Sequence, residues 1–348
     1  MLYGEISRCH HPYEGLTINA QGYLIHCCET VELPIVHVDE VSDLTDTFNN
    51  HPSFIEYRNS LPDPCQRCYD KERKGITTAK HSNPLSSVWN GKIRYLEYTM
   101  SNLCNATCSM CDGFFSSSWA GKVTRLSDDA YNKIVHILPS VEKLVIKGGE
   151  PFADSRNIKI LERYLEVSDG TVDIITNGSL FHNSCLSSRV HLGVSIDGTH
   201  ELYRWIRSTD WDTVIDNMKR FYDATGHGVT VQSVISLYNF FNIEDYLEYF
   251  RDKEYVSRIE MNHWVDWPKH SSVQCLPEDI LMEQKEKNVR IMKKYKDNPK
   301  YNLLDMTSLK YKNKKGCNRE VFLERVSHVN SLRGFDLLDH VPELKKWT

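Results

Sequence analysis

From about residue 93 the chain repeats one pattern, a short apolar segment followed by a longer amphipathic one. The apolar segments read as strands at Arg94–Met100, Lys143–Lys147, Val172–Thr176, His191–Ile196, Val229–Ile235 and Arg258–His263. Each is rich in β-branched or apolar residues, with turn residues close by. Between them a helical spacing of apolar positions predicts helices over Ser127–Leu138, Asn157–Val167, Trp211–Ala224 and Ile243–Asp252. Ser127, followed by Asp128 and Asp129, has the chemistry of an N-terminal cap with an acidic first turn. The stretch Ser179–Ser187 is too polar to predict a helix. Strands alternating with helices predict a parallel sheet with right-handed crossovers. The fold class is therefore α/β, and six such units make a partial (β/α)6 barrel with its active site at the carboxyl ends of the strands.

The flanks have another texture. GLTINAQGYLIHCC reads as a hairpin turned at Ala20–Gly22, and the proline-containing Leu61–Pro64 leads into Cys65. After residue 280 the chain is charged and helical and carries a basic run, LKYKNKKG. Three regions follow: a cysteine-rich module over 1–90, a barrel over 91–268 and a helical extension over 269–348. The 348 residues are 40% hydrophobic and 26% charged, which excludes collagen-like, low-complexity and wholly disordered classes. A formal charge of -5 gives no overall pull toward nucleic acid or an anionic membrane. No apolar run approaches the roughly 20 residues that span a bilayer, and the first residues lack a signal-peptide core. The expectation is a soluble cytoplasmic protein with neither membrane nor nucleic acid as partner.

The 11 cysteines change the picture. In a reducing compartment clustered thiols point to metal or iron–sulfur ligation and away from a disulfide framework. Cys104, Cys108 and Cys111 form C-x3-C-x2-C directly after the first barrel strand. Three thiolates so spaced can wrap one [4Fe–4S] cube and leave its fourth iron open. A structural zinc site wants four ligands, and the neighbouring loop offers no fourth. At the end of the second strand stands Gly148-Gly149-Glu150-Pro151, two glycines that permit close backbone approach to a ligand and a carboxylate suited to an ammonium group.

These two motifs resemble those of the radical S-adenosylmethionine (radical SAM) superfamily. Thr176-Asn177-Gly178 and Ser195-Ile196-Asp197-Gly198, the latter leading to Arg207, extend the likeness along the barrel. The resemblance implies that Cys104, Cys108 and Cys111 hold a [4Fe–4S] cluster and that Glu150 meets the methionine ammonium. Gly148, Gly149 and Asn177 would line the S-adenosylmethionine site, and Ser195 and Arg207 would hold the methionine carboxylate or the ribose. An aromatic usually precedes the third cysteine; Met110 stands here, an apolar and polarisable surface for adenine.

Cys9, Cys27, Cys65 and Cys68 resemble half of the SPASM auxiliary-cluster pattern, the twitch module, placed before the barrel instead of after it. Four thiolates would saturate a second [4Fe–4S] cluster, or a structural zinc ion. Adjacent strand residues point to opposite faces, so only one of Cys27 and Cys28 reaches that site. Cys185, Cys275 and Cys317 read as small buried residues, with Cys275 also a candidate redox group or hydrogen-atom donor. His10-His11 reads as an exposed polar pair. Glu260, His263 and Asp266, at the last strand's end, are candidates for acid–base or substrate-binding work.

The resemblance implies an enzyme that cleaves S-adenosylmethionine reductively to a 5′-deoxyadenosyl radical. That radical would take hydrogen from an unactivated C–H of a peptide or small molecule. The second cluster would serve electron transfer, and a flavodoxin or ferredoxin would supply electrons. The net reaction would be oxidation, cross-linking or epimerisation. A tRNA-modifying radical SAM enzyme and a non-catalytic iron–sulfur or zinc module are the alternatives.

Overall fold

Strand β4 (Tyr95–Thr99) is buried at every position, as expected of a parallel strand covered on both faces. It pairs in parallel with β5 (Lys143–Lys147) on one side and with β1 (Gly15–Ile18) on the other. The computed structural model describes residues 9–30, 32–60, 65–73, 89–312 and 319–348, and the chain divides into two compact units.

The first unit holds residues 1–104, 121–175 and 182–191. With β2 (Tyr23–Ile25), β3 (Val36–His37) and β6 (Thr171–Thr176), its strands run in the order β6-β5-β4-β1-β2-β3. The expected hairpin is present, with Thr17 opposite Ile25 and Ile18 opposite Leu24. Through β1 it joins the parallel strands directly, beside β4. Helices Asp128–Ile137 and Ser155–Val167 lie between successive parallel strands. The first starts where the sequence places it, with the Ser127 Oγ accepting from the Ala130 amide at 3.0 Å. His10 and His11 are not exposed: each is 3% accessible. His11 packs edge-on to Tyr95 at a ring separation of 4.6 Å and His10 stacks on His11, so apolar ring faces outweigh the polarity that suggested a surface pair.

The second unit holds residues 105–120, 176–181 and 192–348. Here β7 (Val190–Ser195), β8 (Val229–Ile235), β9 (Val256–Trp264) and β10 (Tyr301–Leu303) follow one another in parallel. Helices Trp211–Thr225 and Ile243–Phe250 match expectation, and both units are α/β. Ser179–Ser187 contains only a short 3-10 turn, Asn183–Cys185. A further helix, His200–Arg207, was not legible in advance. It is short, it starts on a residue with φ of 51° and it ends on Ser208 at φ 63°. The extension past 269 is helical at Glu278–Lys293 and Arg319–Arg333, but it also contributes the strand β10 beside β9. Among the described residues no helix is long and apolar enough to cross a membrane. Leu61–Pro64, Cys317 and half of the basic run lie outside the described residues.

Candidate functional site

In the first unit the Gly148–Pro151 loop packs on the segment that leads into the three-cysteine loop. The Gly149 amide donates to the Ser101 carbonyl at 3.0 Å, and the Glu150 amide donates to that of Leu103 at 2.7 Å. A Cβ on Gly149 would stand 2.3 Å from the Leu103 carbonyl oxygen, and one on Gly148, at φ 147°, 2.8 Å from that of Ser101. The close approach these glycines permit is thus to the chain's own backbone at the root of the loop. Glu150 is buried, and its Oε1 accepts from the Phe152 amide at 3.1 Å, capping the turn Pro151–Ala153. Asp154 accepts from the Ser101 hydroxyl at 2.7 Å and ties the same root from the other side.

The amino-terminal cysteines also belong to this unit. Cys27 and Cys65 are buried, and Cys9 and Cys68 partly so. Burial pushes the Cys9 and Cys27 thiols up to about 12, and the neighbouring thiols add to this: Cys27, Cys65 and Cys68 act on Cys9, and Cys65 and Cys68 act on Cys27. Tyr57 sits among them, with the Cys65 thiol donating to its hydroxyl at 3.8 Å and the His26 ring tilted against its ring at a centroid distance of 3.9 Å. Cys28 lies next to Cys27 at the start of a 3-10 turn, Cys28–Thr30. It is exposed, and the charges that act on it are those of Glu97 and Lys147, an ion pair between β4 and β5. The thiols of Cys65 and Cys68 act on both Cys9 and Cys27.

In the second unit the loop from Asn105 to Cys111 is held through its backbone and side chains alike. Asn105 donates from Nδ2 to the Ser179 hydroxyl and accepts from Asn177 Nδ2, both at 2.9 Å. The Thr107 amide donates to the Ser208 hydroxyl at 2.7 Å, and the Ser109 amide to the Ile206 carbonyl at 2.7 Å. Trp119 Nε1 donates to the Cys108 carbonyl at 3.0 Å. From the helix Arg319–Arg333, Arg333 reaches the Thr107 carbonyl and Arg325 those of Ser109 and Cys111. Met110 is half-buried in the turn. None of Cys104, Cys108 and Cys111 is disulfide-bonded, whereas Cys275 is, so it has no S–H to give as a hydrogen-atom donor. Cys185 is fully buried, as expected.

Arg207 closes the helix His200–Arg207 and pairs through Nε with the fully buried Asp197. Its Nη1 lies 3.8 Å from the Cys108 sulfur. Burial opposes the guanidinium charge, but Asp197 and then Cys108 outweigh it, and the arginine stays protonated well above its ordinary range. Asp197 is fixed in turn by the Val234 amide at 2.8 Å and the Ser233 hydroxyl at 3.3 Å. Ser195 ends β7 opposite Gln232.

On β9 Glu260 pairs with Gln232 and His263 with Val234. Strict alternation would put residues three apart on opposite faces. The extra β9 residue between these two pairings brings Glu260 and His263 to one face. Glu260 is ion-paired with Arg258 at 3.0 Å, while His263 and Asp266 are exposed. Among the described residues, no three His, Cys, Asp or Glu side chains are grouped as they would be around a metal ion.

The sequence reading missed Asn105, Trp119, Arg325 and Arg333. A polar residue between two cysteines was the available signal for Asn105; nothing in spacing singles out arginines in a charged helix.

A family model described as the Radical SAM superfamily matches residues 98–252, the span from β4 through Ile243–Phe250. This segment belongs to the radical SAM superfamily. Solved structures similar to the chain include native anSMEcpe with bound AdoMet, 14% identical over 59% of this chain and 61% of that one, with a TM-score of 0.46. SuiB of Streptococcus suis, bound to its precursor peptide SuiA, is 15% identical over 82% and 70%, with a TM-score of 0.46. A radical SAM methyltransferase from Sphaerobacter thermophilus is 19% identical over 47% and 54%, at 0.36. This chain therefore spans about six-tenths of the anSMEcpe chain. No curated protein matches it in sequence.

Proposed function

We propose that this radical SAM protein is an enzyme that cleaves S-adenosylmethionine reductively and acts on an unactivated C–H bond of a peptide or small molecule. One observation carries the reading. The carbonyls of Thr107, Cys108, Ser109 and Cys111 are all taken by side chains of the same unit, while the cysteines of the loop stay out of disulfides. The loop's shape is set by the protein, and it carries its three cysteines as thiols.

The donor set fits the cofactor. Cys104, Cys108 and Cys111 supply three thiolates, and the loop contains no fourth ligand to close a [4Fe–4S] cube. When bound, that cluster with S-adenosylmethionine supplies one-electron cleavage of a carbon–sulfur bond and a radical able to abstract hydrogen. The chain's own residues bind and orient. Glu150 accepts the methionine ammonium, Ser195 and Arg207 take the carboxylate or ribose, Met110 packs on the adenine, and Gly148, Gly149 and Asn177 keep the surrounding loops in place. Glu260 and His263, on one face of β9, with Asp266 beyond it, are the candidates to bind substrate or move a proton. Cys9, Cys27, Cys65 and Cys68 take a second, fully ligated cluster that serves electron transfer. A flavodoxin or ferredoxin is the reductant this chemistry requires.

Anaerobic reconstitution tests the assignment. The expected load is about eight irons per chain, from two cubes of four. Replacing Cys104, Cys108 and Cys111 together by Ala should remove half the iron and abolish formation of 5′-deoxyadenosine. Persistent cleavage in that variant would overturn the reading. Stoichiometric zinc with only four irons would overturn the second cluster alone.

A further inference from the structure

The helix Arg319–Arg333 sets two guanidinium groups against the three-cysteine loop. Arg325 donates from Nε to the Ser109 carbonyl at 3.0 Å and from Nη2 to that of Cys111 at 3.1 Å, and its Cζ lies 4.0 Å above the Trp119 ring. Arg333, two turns further along, donates from Nη1 to the Thr107 hydroxyl at 3.0 Å and from Nη2 to the Thr107 carbonyl. Its Nε reaches the Trp205 carbonyl at 3.1 Å. Trp205 Nε1 in turn donates to Asn330 Oδ1 at 2.7 Å and fixes the helix between the two arginines.

Holding carbonyls requires donors, not charge; glutamine or asparagine amides would serve. Burying a cation costs several kcal/mol unless an anion compensates it. Among the described residues neither arginine forms an ion pair with a carboxylate. Burial disfavours both charges, and what both guanidinium groups face is the cysteine loop. Arg207, 3.8 Å from the Cys108 sulfur, adds a third cation on the same loop.

We propose that Arg325 and Arg333 are positioning residues that raise the reduction potential of the cluster held by Cys104, Cys108 and Cys111. The inference rests on the assignment of that cluster made above. Reduction adds one negative charge to an already anionic thiolate cluster. Two half-buried cations beside the loop favour the more negative state, and hydrogen bonding and charge around the sulfurs are recognised means of tuning such clusters. The carboxy-terminal helix would thereby be part of the redox machinery and not only a cover.

The test is a redox titration of the reconstituted full-length protein, following the electron paramagnetic resonance signal that changes when S-adenosylmethionine is added. Arg325→Gln and Arg333→Gln should each lower the equilibrium constant for reduction about tenfold, which is about 59 mV for a one-electron couple. Arg325→Lys and Arg333→Lys keep the charge but lose the planar fork, and should stay within about twofold of the parent. Should a glutamine variant not load iron, the lysine variants decide: a tenfold shift with the charge retained overturns the proposal. Glutamine and lysine variants that lower iron content and melting temperature alike, with an unchanged potential in the loaded fraction, also overturn it and leave a structural clamp. A parent protein that loads iron but gives no signal responsive to S-adenosylmethionine sinks the cluster assignment itself.

Discussion

Asn177 donates from its Nδ2 to the Oδ1 of Asn105 at 2.9 Å, joining the turn after β6 to the loop between the first two cysteines. The Asn177 Oδ1 also accepts from the Ser179 amide at 2.9 Å and the Ser179 hydroxyl at 2.7 Å, so one side chain organises both segments. Asn177→Ala should cost about 1–3 kcal/mol, the range for partners left unsatisfied. Urea midpoints measure it. The double variant with Asn105→Ala should cost less than the sum of the singles, because the two share a bond.

Asp197 and Arg207 form a buried pair. Removing the carboxylate strands the guanidinium, so Asp197→Ala should destabilise by about 3–5 kcal/mol. Asp197→Leu combined with Arg207→Met should recover much of that loss in denaturant unfolding. If the double variant is no more stable than the single one, uncompensated charge is not the cause.

Gly149→Ala would drive a Cβ against the Leu103 carbonyl and the Asn102 backbone, neither of which is a flexible side chain. The segment leading into Cys104 must then shift. Iron uptake at the three-cysteine loop should fall, with the far-ultraviolet circular dichroism unchanged.

Glu150→Gln keeps an oxygen to cap the Phe152 amide but removes the charge. Binding of S-adenosylmethionine should weaken by about 1–3 kcal/mol, the scale of a lost charged partner. Titration calorimetry reads the binding, and a colorimetric iron assay should show the iron content unchanged.

Stability should also depend on pH through the imidazoles. Burial lowers His11 to about 4, helped by Lys147, and lowers His270 to about 4, helped by Arg325. An unfolded histidine titrates near 6.5, so between about 6.5 and 4 the unfolded chain binds the extra protons. The stability these neutral rings contribute is complete above about 6.5 and is lost as pH falls toward 4, at up to about 1.4 kcal/mol per pH unit for each ring. Urea midpoints at stepped pH should show that slope, and His11→Asn should flatten it.

Much of this was readable from the chain alone. Strands and helices of the α/β alternation followed from period and composition, because a parallel strand covered by helices is apolar at most of its positions. The C-x3-C-x2-C loop and the Gly-Gly-Glu-Pro turn were legible because their chemistry resides in adjacent residues. What spacing could not supply were relationships between distant segments. Arg325 bonds to Cys111 across 214 positions, and Arg333 to Thr107 across 226. In sequence they are two cations in a charged helix; folding selects which cations are buried and what they face. The same holds for His10 and His11, whose polarity suggested solvent until Tyr95 covered them. Local pattern determined the elements and the thiol loop. Burial, which depends on every element at once, decided which polar groups hold that loop and which charges surround it.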